Sequence, residues 1–114
     1  MPAPRFHVLE VALSLAESLR EPHAVLLRRN PSLADQLFRA ASSVPLNIAE
    51  GNRRVGRDRL HLWRQAAGSA DEVRTALRVA VSWRQLGAAE VAPALDACDR
   101  VLAMLYRLTA PKAA

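Results

Sequence analysis

The chain has 114 residues, 51% of them apolar, with four glycines, few aromatics and a net charge of +5; that is room for one domain with a core of its own and not for two. Its single cysteine, Cys98, excludes an internal disulfide and a cysteine-based zinc site and fits a reducing compartment. No basic segment leads into an apolar run at the start and no apolar stretch is as long as a membrane span, so a soluble cytoplasmic protein is expected.

Apolar residues recur with a helical period and alternating strand runs are missing, which predicts an all-α fold. The first predicted helix covers residues 5–29. Val8, Val11, Ala12, Leu15 and Leu19 share one face, widened by Leu9, Leu13 and Ala16. Pro22 should kink or break this helix near residue 22, because a proline inside a helix removes a donor and crowds the preceding turn. The segment from His23 to Arg29 resumes the helix and carries Leu26 and Leu27 back to the core. With no second ligand nearby in sequence, His23 reads as a surface histidine.

Asn30-Pro31-Ser32 starts the second predicted helix, residues 31–54: Asn30 can cap, and Pro31 sits where a missing N–H costs nothing. At 100° per residue, Leu33, Leu37, Ala40, Ala41, Val44, Ile48 and Gly51 fall within about 100° of one another and form the core stripe. Gln36, Ser43, Asn47, Glu50 and Arg54 make a polar stripe beside it. Since the apolar period runs straight through Pro45, that proline should bend the helix and not end it.

Val55-Gly56-Arg57-Asp58 reads as a tight connection, with Asp58 a cap or first-turn acid for the third predicted helix, residues 57–86. Leu60, Trp63, Ala67, Ala70, Leu77 and Val81 are its core face, flanked by Ala66 and Val73, and Gly87 is its C-terminal glycine. The fourth, residues 90–109, puts Leu95, Cys98, Val101, Leu102, Leu105 and Leu108 on one side, which makes Cys98 a small core residue and not a nucleophile. Pro111 begins a short tail. The second and third helices each carry a patch of small residues (Ala40 to Ser43, and Ala66 to Ala70) and should pair as a close antiparallel hairpin. Four amphipathic helices with short links predict one domain over residues 1–114, an up-down-up-down four-helix bundle.

Three sets of residues are candidates for function. Arg53, Arg54, Arg57, Arg59 and Arg64 fall within twelve positions. Such a cluster can meet nucleic-acid phosphates, bidentately in the case of arginine; it can also be a solvated surface that only keeps the protein soluble. Leu46, Val79, Trp83 and Leu86 are large apolar residues left over after the core is assigned, and a tryptophan with aliphatic neighbours on an outward face predicts self-association. Arg39, Ser43, Asn47, Glu50 and Glu72 form a polar set along the second and third helices. Glu50 and Glu72 could be imagined as an acid/base couple, but carboxylates held by Arg, Asn or Ser donors are the stronger reading. A di-iron bundle would need repeated Glu-x-x-His motifs, and the chain offers only Asp58-x-x-His61. No metal, cofactor or catalytic residue is expected.

The run RAASSVPLNIAEGNRR (Arg39 to Arg54), followed at the matching distance by AAGSADE (Ala66 to Glu72) and then by VLAMLYRL (Val101 to Leu108), resembles the four-helix bundle protein family, also called the 23S rRNA intervening-sequence protein family. The segment EPHAVLLRRNP ahead of the second helix departs from that family's usual aromatic-proline-acidic linker. The resemblance implies a closed antiparallel bundle, a homopentamer with a central channel, and no established enzymatic activity. A more distant similarity is to the accessory protein of diversity-generating retroelements, a basic pentameric barrel that works with a reverse transcriptase and RNA. The residues that carry the family signature are Arg39, Ser43, Pro45, Asn47, Glu50, Gly51, Gly68, Ser69 and Glu72. Composition and resemblance together lead to the expectation of a non-enzymatic oligomer that binds RNA or a ribonucleoprotein partner through its arginines; the alternative is a protein-interaction scaffold with no nucleic-acid role.

Overall fold

The computed structural model describes residues 3–111; the tail expected after Pro111 otherwise lies outside them. Within this range the fold is all-α, with five helices and no strand: α1 (Pro4–Ser18), α2 (Arg20–Arg29), α3 (Pro31–Asn52), α4 (Gly56–Ser82) and α5 (Ala88–Thr109).

Five helices stand where four were expected because the first predicted helix is two. The break lies at Leu19, three residues before Pro22, and the reason is local. Pro22 has no N–H, and in an unbroken helix its ring would press on the Ser18 carbonyl. The chain relaxes at Leu19 (φ −92°, ψ −5°), whose N–H donates to the Ala16 carbonyl at 3.2 Å, and restarts so that Pro22 lies in the first turn of α2. There its missing donor costs nothing. Pro22 and Leu19 are both buried, so the bend is packed into the core.

Asn30 ends α2 and starts α3. Its N–H donates to the Leu26 carbonyl at 2.7 Å, and its Oδ1 accepts from the Leu33 N–H at 3.1 Å, with Pro31 opening the helix. α3 passes through Pro45 without interruption, and Val44 and Ile48 on either side are fully buried. Gly56 opens α4 with φ +61°, a conformation that a side chain resists, so the three-residue link after Asn52 can reverse direction sharply.

α4 ends at Ser82 and not near residue 86, and Gly87 is not its terminator. The reversal is made by Arg84 at φ 56°. The Gln85 N–H reaches back to the Ala80 carbonyl at 2.8 Å and the Arg84 N–H to the Val81 carbonyl at 2.9 Å, the pattern that satisfies orphan carbonyls when a left-handed residue closes a helix. Gly87, at φ −84°, instead precedes α5, and its N–H donates to the Glu90 carboxylate at 2.9 Å.

α3 and α4 share the most extensive interface; α4 packs on α5, α5 on α1 and α1 on α3, while α2 lies along α3. Neighbours run in opposite directions. Ser69 bonds Ser43 at mid-length, Trp63 meets Gly51, and Asn30 bonds Gln85 at the far end. The molecule measures 47 × 25 × 22 Å. Two apolar clusters fill it: one around Leu15, Leu26, Leu37, Leu77 and Cys98, the other around Val8, Ile48, Trp63, Val101 and Leu105. The α4 core face is rotated from the expected one. Leu60, Ala67 and Val81 are half-buried, and Ala76 and Ala80 are buried in their place, because α4 faces both α3 and α5. No helix among the described residues is long and apolar enough to cross a membrane.

Candidate nucleic-acid interface

The five clustered arginines sit around the α3/α4 turn, and the structure divides them by their occupations. Arg59 is tied to the fold. Its Nε donates to the Gly51 carbonyl at 3.1 Å and its Nη2 to the Asn52 carbonyl at 3.3 Å, which satisfies the exposed carbonyl end of α3. Its guanidinium also lies 5.4 Å from the centre of the Trp63 ring. Arg54 pairs with Glu50 one helical turn away at 3.0 Å, a half-exposed contact of modest strength. Arg64 makes a long 3.5 Å contact to the Thr109 carbonyl at the end of α5. Arg53 and Arg57 are exposed and make no side-chain hydrogen bond or ion pair among the described residues.

What holds the turn is a network that sequence reasoning missed. Trp63 is only 5% exposed, and its Nε1 donates to Asn52 Oδ1 at 3.3 Å. Asn52 Nδ2 in turn donates to the Arg5 carbonyl at 3.0 Å, so one amide joins the start of α1, the end of α3 and the first turns of α4. Gly51 lies close against the indole: a Cβ there would be 2.7 Å from Trp63 Cδ1 and 2.8 Å from Nε1. The signals were present but indirect. Arg59 and Trp63 are four apart on one helix, and the antiparallel register aligns Gly51 and Asn52 with them across the turn.

The expected polar set forms only in part. Asn47 Nδ2 donates to the Ser43 carbonyl at 2.9 Å and lies 2.8 Å from Ser43 Oγ, which accepts from Ser69 Oγ at 2.9 Å across the α3/α4 contact. Glu50 stands apart from this network, its carboxylate paired with Arg54. Arg39 and Glu72 do not join it either: both are exposed and make no side-chain bond among the described residues. The register that sets Ser43 opposite Ser69 separates Glu50 from Glu72 by several turns, roughly 14 Å along the axis, so the imagined acid/base couple is not assembled. The shallow cleft at Glu50 is shared with Arg54, Asp58, His61 and Leu62. Among the described residues no three potential ligands converge on a metal-sized site. Cys98 is buried, and burial pushes its thiol up to about 12, which leaves it unreactive at neutral pH.

The expected association surface needs one correction. Leu46 (67% exposed), Val79 (37%) and Trp83 (74%) do face outward, but Leu86 is 3% exposed and belongs to the core. Extending α4 through residue 86 put Leu86 in phase with Trp83; the left-handed turn at Arg84 folds it inward instead. Val79 and Trp83 border a cleft of about 440 Å³ with Asn30, Ser32, Leu33, Gln36 and Gln85. A smaller apolar cleft, about 180 Å³, lies on the other side of α3 between Ala16, Leu19, His23, Leu37 and Phe38.

Residues 6–107 match the family model described as 23S rRNA-intervening sequence protein. A crystal structure from Bacteroides thetaiotaomicron VPI-5482, described as a protein with unknown function from the S23 ribosomal protein family, superposes with a TM-score of 0.83 over 91% of this chain and 99% of that one. At 16% identity this likeness concerns the fold alone. No curated protein matches the chain.

Proposed function

The chain belongs to the 23S rRNA-intervening sequence protein family, and from that premise we propose that it is a non-catalytic, self-associating helical bundle that binds RNA or a ribonucleoprotein partner in the cytoplasm. The bundle is read as four antiparallel columns, up-down-up-down, with α1 and α2 together forming the first. One observation carries the RNA reading: Arg53 and Arg57, without side-chain partners among the described residues, project from a turn that Asn52, Arg59 and Trp63 hold in a fixed shape. Guanidinium groups held on a rigid support lose little freedom on meeting phosphates and can bond them bidentately. The test is fluorescence anisotropy of labelled RNA with the wild type and with Arg53→Gln/Arg57→Gln across a salt series. The reading expects binding that weakens steeply with salt and a shallower salt dependence in the variant. Undetectable binding at low salt, or a variant indistinguishable from the wild type, would remove it.

A second reading has its own support in Trp83, which is 74% exposed beside Val79. It makes the protein a scaffold whose copies, five in a ring by resemblance, meet through Leu46, Val79 and Trp83 while the arginines only maintain solubility. Sedimentation of Trp83→Ala should then show smaller particles, and an unchanged mass argues against that surface.

A further inference from the structure

We propose that the phosphate-binding surface is the whole end face of the bundle at the α3/α4 turn, with Arg5 and Arg107 as full members, and that it takes the backbone of double-stranded RNA; this rests on the RNA-binding reading and deepens it. Arg5 and Arg107 are 102 positions apart in sequence. Closure of the helices brings them to the same end, since Asn52 bonds the Arg5 carbonyl, Arg64 contacts Thr109, and Pro4 and Arg107 border one cleft.

The charge is divided accordingly. Within about 13 Å of that end, at 1.5 Å per residue, seven arginines (the five of the cluster, Arg5 and Arg107) share the space with three carboxylates, Glu10, Glu50 and Asp58. The rest of the described chain carries eight arginines and eight carboxylates and is neutral. The net positive charge of the described residues therefore lies at one end of a molecule 47 Å long. Arg59 and Arg64 are occupied with carbonyls at the ends of α3 and α5, which removes partial negative charge that would repel a phosphate. Arg54 is paired. That leaves Arg5, Arg53, Arg57 and Arg107 without an ion pair among the described residues, drawn from three separate segments and spread over a cross-section of 25 × 22 Å.

The chemistry favours a duplex over a single strand. Single strands are bound by successive exposed rings on which bases stack. Here Trp63 is sealed, and the Phe6 ring is partly covered by the Arg5 guanidinium at 5.0 Å. The phenyl rings exposed at this end, Phe6 (47%) and Tyr106 (79%), stand on separate helices, α1 and α5. Guanidinium groups without base-reading partners or a stacking row suit the sequence-independent phosphate contacts by which A-form duplexes are recognised.

The experiment compares a 20-base-pair RNA hairpin with an unstructured RNA of equal charge, using the full chain. Arg5→Gln/Arg107→Gln is set against Arg28→Gln/Arg78→Gln, which removes the same charge from the neutral region; melting curves check that both fold. The hairpin should bind more tightly than the single strand. The end-face pair should lower the salt slope by about one per arginine and weaken binding on the order of tenfold, while the control pair stays within about twofold. Arg5→Lys/Arg107→Lys should recover most of the loss. Equal losses in both pairs would overturn the end face while leaving RNA binding intact. Equal or tighter binding of the single strand, or tighter binding to phosphatidylserine vesicles, would overturn the duplex assignment. A wild type that binds neither RNA would remove the proposed function as well.

Discussion

Two tryptophans twenty residues apart stand near opposite ends of α4, Trp63 within it and Trp83 just past its last residue, and their surroundings are opposite. Trp63 is 5% exposed, close against Gly51, hydrogen-bonded to Asn52 and covered by Arg59. Trp83 is 74% exposed just past the last turn of the same helix, and its indole makes no hydrogen bond among the described residues. A buried indole requires a partner for its N–H and a gap shaped to its face, and α3 supplies both within two residues at one end. At the other end the chain turns away at Arg84 and leaves the ring in solvent. The difference separates two kinds of surface. At the Trp63 end the fold buries its tryptophan and displays the excess positive charge, with Tyr106 exposed beside it; at the Trp83 end the charges balance and the tryptophan is displayed. A polyanion and a protein surface would be expected to choose different ends.

The contrast should be widest in stability. Trp63→Ala removes a buried ring, strands Asn52 Oδ1 and opens a cavity between α3 and α4; a loss of about 3–5 kcal/mol is expected by urea denaturation at fixed protein concentration. A loss below ~1 kcal/mol would mean that the helices collapse into the gap and that the indole is not what holds that end. Next comes Gly51→Ala. Its Cβ would meet Trp63 Cδ1 at 2.7 Å, so ring or helix has to shift, at a cost of about 1–3 kcal/mol. Because the turn that presents Arg53 and Arg57 is built on this contact, the same substitution should also weaken the proposed RNA binding without removing a single charge. The double variant Gly51→Ala/Trp63→Phe, which shrinks the ring, should recover part of the stability if the clash is the cause.

The Trp63 end also shows how far the sequence could be read. Buried positions on α1 and α3 follow the 3.6-residue period closely, so Val8, Val11, Leu15, Leu37, Val44 and Ile48 were identifiable from spacing alone. The Asn30 cap was legible because its partner lies three residues away. The frame around Trp63 was not, since its bonds join residues 7, 11 and 47 positions apart and depend on the antiparallel register. For the same reason Arg5 and Arg107 were missed: only closure of the bundle brings them to the cluster. The break at Leu19 was assigned to Pro22 because proline acts on the turn before it. Nothing in the sequence marked Arg84 as the end of α4, since arginine rarely adopts a positive φ and a glycine three residues later offered a more ordinary terminator.

That position gives a prediction of opposite sign at the Trp83 end. An L-residue in the left-handed region is strained by about 1 kcal/mol relative to glycine, and the Arg84 side chain makes no hydrogen bond or ion pair among the described residues. Arg84→Gly should therefore raise stability by up to ~1 kcal/mol, read as a higher urea midpoint at unchanged slope. Arg84→Ala, which keeps the strain, should not. A destabilised glycine variant would mean that the arginine does something at this turn that its geometry does not reveal.

The smallest effect on folding belongs to Trp83→Ala. A ring that touches little in its own chain has little to lose, and a change within about 0.5 kcal/mol is expected when the protein is dilute enough to be dissociated. Concentration is what should separate it from the wild type. If copies meet through this ring, association stabilises the native state by mass action, and the wild-type Tm climbs as protein concentration rises. In Trp83→Ala that climb should flatten while the dilute-limit Tm stays where it was. A variant whose Tm falls equally at every concentration would show the ring working within its own subunit, and the contrast between the two ends of α4 would then be one of degree only.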